Sequence, residues 1–322
     1  MGSVDACIEQ PERKNISNCN SNLPCTHCPA GKGPGNPGCL EEIHKKVKDL
    51  YPRNFEGAKL IVKKSLSQHF NVTHSIIFSS VTPSGYRFGT RYIGTKRVGH
   101  LEKYPVICGE IVPNGNLTAT LMHTLGCRYR LKLAAQVANQ EYKAISSTLE
   151  YRSNNSTMSL TLANPSILKQ HGTLVLHYLQ AITSRMTLGA EMACQRGSTI
   201  PGHQQTIMSL AFRYSTGRKT LSTTVGEAGV HVCFHMKASH QFQIGVEIET
   251  NFRTHESEAA IVYQMDLPHS DLIFRGLVNS ESTVSAVIEK KLHPFVDSAL
   301  QISGLYNHKK EQFRIGVGLN VG

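Results

Sequence analysis

From about Gly57 to Gly322 the chain is an almost unbroken series of short segments in which apolar and polar residues alternate. The clearest runs from Gln241 to Glu249, where Phe242, Ile244, Val246 and Ile248 are apolar and the residues between them are Gln, Gly or Glu. Period-two alternation belongs to a strand with one apolar and one wet face. No apolar run is long enough to span a bilayer as a helix. A dozen or more such strands, the last reaching Gly322, imply an all-β fold: a closed transmembrane β-barrel with a polar lumen. A large soluble β-sandwich or solenoid is the alternative.

Composition sharpens this choice. The mean hydropathy of −0.23 would class the chain as soluble, but lumen residues dilute the apolar signal of every barrel strand. The formal net charge is +11. Residues 1–56 contain seven basic and seven acidic side chains, so the excess belongs to the strand-rich part. A basic excess suits nucleic acid, anionic lipid or an anion-conducting lumen. With no recognition helix, zinc finger or basic–aromatic interleaving, nucleic acid ranks last. Met1 to Asn15 has no apolar core and reads as no secretory signal, and Ala6 breaks the myristoylation pattern.

Residues 1–35 are rich in Asn, Ser, Cys, Pro and Gly and read as a disordered leader. Residues 36–52 carry a helix signal: Asn36 as N-cap, Pro37 at the first helical position, Glu41 and Glu42 in the first turn, then Lys45, Lys46 and Lys48, with Pro52 as the stop. Leu40, Ile43, Val47 and Leu50 form one narrow apolar stripe. A helix this short needs a surface to lie on. Residues 57–322 then divide into nineteen strand-like segments of about fourteen residues each with their turns, which suits the roughly nine to eleven residues of a tilted membrane strand. Turn chemistry at Pro83-Ser84-Gly85, Pro113-Asn114-Gly115, Asn164-Pro165, Pro201-Gly202 and Pro268-His269 marks several breaks. Sixteen or eighteen strands fit the length nearly as well.

Charge assigns the two faces. A basic side chain facing lipid at mid-membrane costs about 2–4 kcal/mol, so Arg128, Arg130 and Lys132 are expected in the lumen and Leu131, Leu133, Ala135 and Val137 outside. The same parity puts Phe242, Ile244, Val246, Ile248, Val230, Val232, Phe234 and Met236 outside. Glu247 and Glu249 then face the lumen, with Glu110, Glu150 and Glu191 on the lumen side of their own strands. These five carboxylates are candidates for attracting cationic segments; the plainer reading is that lumen charges solvate the pore and pair with one another. With no Trp in the chain, Tyr86, Tyr92, Tyr178 and Tyr214 are left as interface anchors.

Several stretches carry a family likeness. Asn36-Pro37-Gly38, the segment LEEIHKKVKDLYP, EGAKLIVKKSLSQHFNVTHSI, GTLVLHYLQAIT at 172–183, YQMDLPHSDLIFRG at 263–276 and EKKLHP at 289–294 resemble the pore-forming subunits of the translocase of the outer mitochondrial membrane. The resemblance covers nearly all of residues 36–322. It implies a nineteen-stranded barrel whose first and last strands pair in parallel, an N-terminal helix inside the lumen, and both ends facing the intermembrane space. It also implies receptor and small helical subunits as partners, with homo-oligomers inside a complex. Arg314, Gly316, Leu319 and Val321 occupy the defined places of the family's C-terminal insertion signal. The leader Cys19…Cys25-Thr26-His27-Cys28…Cys39 departs from the family's usual Pro-rich opening.

The resulting expectation is a passive channel in the outer mitochondrial membrane. It would pass unfolded precursor proteins with basic presequences from the cytosol to the intermembrane space. It would need no catalytic residues, cofactor or metal. A porin-like anion or metabolite channel is the second reading, and a soluble zinc- or thiol-binding protein built on Cys25-x-x-Cys28 is the third. The histidines, His231 and His235 among them, have no closing ligand pair recognisable in the sequence and read as lumen or rim groups.

Overall fold

The computed structural model describes residues 35–81, 83–97, 102–138, 141–166, 171–197, 203–293 and 298–322. Apart from Gly35, the leader expected over 1–35 lies outside them, and with it Cys19, Cys25, His27 and Cys28.

Nineteen strands build the wall: β1 (Gly57–Ser65), β2 (Phe70–Phe78), β3 (Gly85–Arg97), β4 (Lys103–Ile111), β5 (Leu117–Leu125), β6 (Tyr129–Ala138), β7 (Glu141–Arg152), β8 (Ser156–Ser166), β9 (His171–Ala181) and β10 (Met186–Arg196). They continue with β11 (Gln204–Ser215), β12 (Lys219–Gly226), β13 (Gly229–Lys237), β14 (Phe242–Asn251), β15 (Glu256–Leu267), β16 (Leu272–Asn279), β17 (Thr283–His293), β18 (Ser298–Asn307) and β19 (Gln312–Val321). Each pairs with its neighbour in sequence, antiparallel throughout, and the sheet closes where β1 meets β19 in parallel, from Gly57 beside Gly316 to Val62 beside Val321. With an odd number of up-and-down strands the first and last run the same way, so parallel closure is what geometry requires. Closure leaves no strand edge open, the condition for spanning hydrocarbon with sheet. Among the described residues no helix is long and apolar enough to cross a membrane.

The alternation in sequence becomes the two faces of this wall. Ile248, Phe234, Leu133 and Leu149 are exposed on the outside, as are Tyr86, Tyr92, Tyr178 and Tyr214. Their odd-and-even neighbours point inward: Glu247 meets Tyr51 of the N-terminal segment, and Ser222 and Thr224 meet His44. Two sequence expectations shift. Asn164-Pro165 is not a turn but lies inside β8, where the register against β9 slips between Ala163 and Ser166. Asn164 adopts φ 48°, and its side-chain oxygen accepts from the Ile145 amide, so a bulge absorbs the proline. Arg128 sits in the turn before β6 rather than on its lumen face; Arg130 and Lys132 lie within β6.

The segment before β1 threads the lumen. It holds a 3-10 turn at Leu40–Glu42 and a short helix α1 at Lys45–Lys48, in place of one helix over 36–52. Asn36 does not cap a helix. Its Oδ1 accepts from the Gly38 amide at 2.9 Å and its Nδ2 donates to the Ser153 carbonyl at 2.7 Å, while Arg213 takes the Pro37 carbonyl at 2.7 Å. With residues 36–38 held by the wall, and Gly38 at φ 85°, helical geometry starts only at Leu40.

Candidate functional site in the lumen

The lumen segment is positioned by its apolar stripe. Leu40 and Ile43 bury against Leu179 of β9 and Ala211 of β11, and Val47 and Leu50 bury against Cys233 of β13 and Val262 of β15. All four stripe residues are nearly inaccessible to water. Gly189 makes the close approach possible: a Cβ there would stand 2.6 Å from Leu40 Cδ1. The segment therefore leaves the wall at Ser153, in the β7–β8 turn, and follows it round to β18, where the Phe55 amide donates to Ser303 Oγ at 3.1 Å. The β7–β8 turn and the end of β19 lie at the same mouth, hereafter the near mouth. The chain enters there at residue 36 and reaches the far mouth where β1 begins.

Polar contacts reinforce this path. His44 places Nδ1 2.9 Å from Ser222 Oγ and Nε2 2.8 Å from Thr224 Oγ1, both on β12. Burial first, and then the neighbouring His231 ring, push His44 down to about 4, so its imidazole is neutral. Lys46 Nζ donates to Thr220 Oγ1 at 2.7 Å. Near the near mouth, Cys39 Sγ lies 2.6 Å from Glu150 Oε1. Burial, with the adjacent Glu150 carboxylate, pushes the Cys39 thiol up to about 12.

The five candidate carboxylates have unlike surroundings. Glu110 pairs with Arg87 at 3.6 Å. Glu150 is buried between Arg152 at 3.0 Å and Arg130 at 3.8 Å. Glu191 faces His177 at 3.8 Å. Glu247 is held by the Tyr51 hydroxyl and by His231 Nε2. Glu249 has no hydrogen bond or ion pair to any of the described residues. It opens onto a cavity of about 380 Å³ that Lys48, Tyr51, Glu247, Glu258 and Ala260 also line. Four carboxylates are thus engaged by the wall or the lumen segment, and one is turned to the open cavity. Lys132 is half-buried on the same face of β6 as Arg130.

Sequence reasoning missed His44, Tyr51, Ser222, Thr224 and Cys233 as a connected set. A polar residue on the inward parity of a barrel strand looks like any other, and the segment that meets it lies some 180 residues away. On β19, Arg314 and Gly316 point inward, Arg314 toward Glu56 at 3.7 Å, and Gly316 is pressed on by Phe55. Leu319 and Val321 share the outward parity of the exposed Ile315 and Val317.

A barrel of nineteen strands closed in parallel, carrying its N-terminal segment inside, matches the family model described as eukaryotic porin over residues 36–316. The chain belongs to the eukaryotic porin family. Within that family it is of the TOM40 type. It is 47% identical over 287 residues to the mitochondrial import receptor subunit TOM40 homolog 2 of Drosophila melanogaster, covering 89% of this chain and 84% of that one. It is 40% identical to the TOM40 homolog of Homo sapiens, covering 89% and 78%, and 39% identical to that of Caenorhabditis elegans, covering 89% and 95%. The match spans the lumen segment as well as the porin barrel.

Proposed function

We propose that this chain is the protein-conducting channel of an import translocase in the outer mitochondrial membrane, passing unfolded precursors with basic presequences. The observation that carries it is a closed nineteen-stranded barrel with a polar lumen, found in a chain 39–47% identical to named import receptor subunits. Transport of this kind needs no nucleophile or general base. It needs weak contacts at several points, so that a passing chain is attracted without being trapped.

Glu249 is the proposed contact for basic presequences. Its neighbours Glu247 and Glu258 add negative potential to the same cavity, while Glu110, Glu150 and Glu191 act chiefly as partners of Arg87, Arg152 and His177. The near mouth is assigned to the intermembrane space and the far mouth, where Glu249 lies on the approach, to the cytosol. The outward apolar faces meet lipid, the small helical subunits and further copies of the barrel; receptor subunits dock at its rims. Arg314, Gly316, Leu319 and Val321 serve as the insertion signal read on the C-terminal strand.

Planar-bilayer recording of the refolded protein tests this reading, with a basic presequence peptide and a charge-neutralised control. Block by the basic peptide alone is expected, and Glu249→Gln should weaken it more than Glu150→Gln does. An anion-preferring current that ignores both peptides would replace the import channel with a metabolite pore.

A further inference from the structure

Four side chains from three elements converge halfway along the lumen. His44 comes from the lumen segment, His231 and Cys233 from one face of β13, and Glu247 from the adjacent strand β14. One donor atom from each of His44, His231 and Cys233 can be chosen such that all three lie within 4.8 Å of one another. Cys233 Sγ is 3.3 Å from His231 Nε2, and Glu247 Oε1 contacts that same nitrogen. The His44 and His231 rings lie 4.2 Å apart.

We propose that these four groups form a zinc-class divalent-metal site that clamps the lumen segment to the barrel wall. Zinc takes sulfur at about 2.3 Å and imidazole nitrogen at about 2.0–2.1 Å in a tetrahedron, which sets two such donors about 3.6 Å apart. The Cys233–His231 spacing is already within a few tenths of an ångström of that value; the His44 donor needs to close by roughly 1 Å, and Glu247 Oε1, in contact with His231 Nε2, needs to open by a little under that. One thiolate and one carboxylate neutralise a divalent ion, and the thiol proton leaves to solvent as the metal enters. Without that neutralisation a charge at this depth would be costly.

The surrounding groups are those that ligands need. The Tyr51 hydroxyl holds Glu247 Oε2, leaving Oε1 turned toward His231. His44 is bonded at both ring nitrogens, by Ser222 and Thr224. One of these hydroxyls would give way to the metal and the other would fix the ring, the usual arrangement behind a ligating histidine. The cavity lined by Glu247, Glu249 and Glu258 provides an acidic access path; Lys48, which shares it, is outnumbered by the three carboxylates. The full set of four donors exists only when the lumen segment is docked, so metal binding and docking are linked.

Cobalt(II) titration of the full-length refolded protein, kept reduced without a chelating reductant, tests the proposal. One Co²⁺ per chain is expected, with a sulfur-to-metal charge-transfer band that Zn²⁺ abolishes by displacement. Cys233→Ser should remove that band, and His44→Gln should weaken binding by about tenfold or more, while both keep the strand signature in circular dichroism. A Cys25→Ser/Cys28→Ser double variant should bind as the parent does. The proposal is overturned if the band is absent, survives Cys233→Ser, or vanishes when Cys25 and Cys28 are replaced. His44→Gln leaves the wall sequence intact, so undiminished affinity in that variant overturns it even where Cys233→Ser loses its barrel.

Discussion

Leu50→Ala should unlatch the lumen segment and expose the wall beneath it. Leu50 and Val47 are each 2% accessible and cover Cys233 and Val262, both fully buried. Truncating a leucine in a sealed core costs about 2–5 kcal/mol. Here water from the lumen can fill the vacated space, which argues for the lower part of that range, about 2–3 kcal/mol. At about 1.4 kcal/mol per factor of ten, the undocked fraction should rise roughly 30–150-fold. Cys233 reports this directly, because its thiol can meet a maleimide only when the segment lifts. Labelling read peptide by peptide in a mass spectrometer gives its rate, with the exposed Cys127 as internal reference. When docking is fast relative to labelling, the Cys233 rate tracks the open population. Leu149→Ala, on the outward face, should leave that rate alone. If Leu50→Ala also leaves it unchanged in a folded barrel, the apolar stripe does not hold the segment, and this account of docking is wrong.

Gly316→Ala should lower the yield of folded barrel, since its Cβ would stand 2.4 Å from the Phe55 carbonyl oxygen and 2.6 Å from its ring. Gly304→Ala, where nothing lies within 4 Å, should fold like the parent in a heat-modifiability gel. Cys39, pushed from 9.0 to about 12, should alkylate at neutral pH about a thousandfold more slowly than an ordinary thiol, by peptide mass spectrometry. Its docked form holds the proton that the released form loses above pH 9. Its contribution to docking is therefore complete below pH 9 and is lost as pH rises toward about 12. Hydrogen exchange over residues 36–42, corrected for intrinsic rate, should accelerate as pH rises above about 9; protection that increases above that pH would contradict the sign.

Much of the wall is readable because its rule is local. A strand in this barrel has one face toward hydrocarbon and one toward water, so Gln241 to Glu249 reveal both their secondary structure and their parity in nine letters. Tyr86 and Tyr214 declare themselves as outward for the same reason. Asn164-Pro165 misleads because a left-handed asparagine and one slipped register let a strand run on through residues that elsewhere end one. The helix expected at Asn36 fails because Gly38 turns out of helical space at φ 85°, and Ser153 and Arg213, distant in sequence, tie Asn36 and the Pro37 carbonyl to the wall.

The sequence by itself determined that the chain is a sheet of some sixteen to nineteen strands with a wet and a dry face, and that Leu40, Ile43, Val47 and Leu50 belong on one surface. Alternation and stripe spacing are properties of neighbouring residues, and neighbours are what a sequence records. Only the tertiary structure decided which carboxylates are already partnered, leaving Glu249 without an ion pair among the described residues, and that His44 lies against His231 beside Cys233. Those meetings depend on closing β1 against β19 and threading the preceding segment through the ring. Such encounters join residues nearly two hundred positions apart, on a lumen face where any polar side chain would satisfy the alternation equally well.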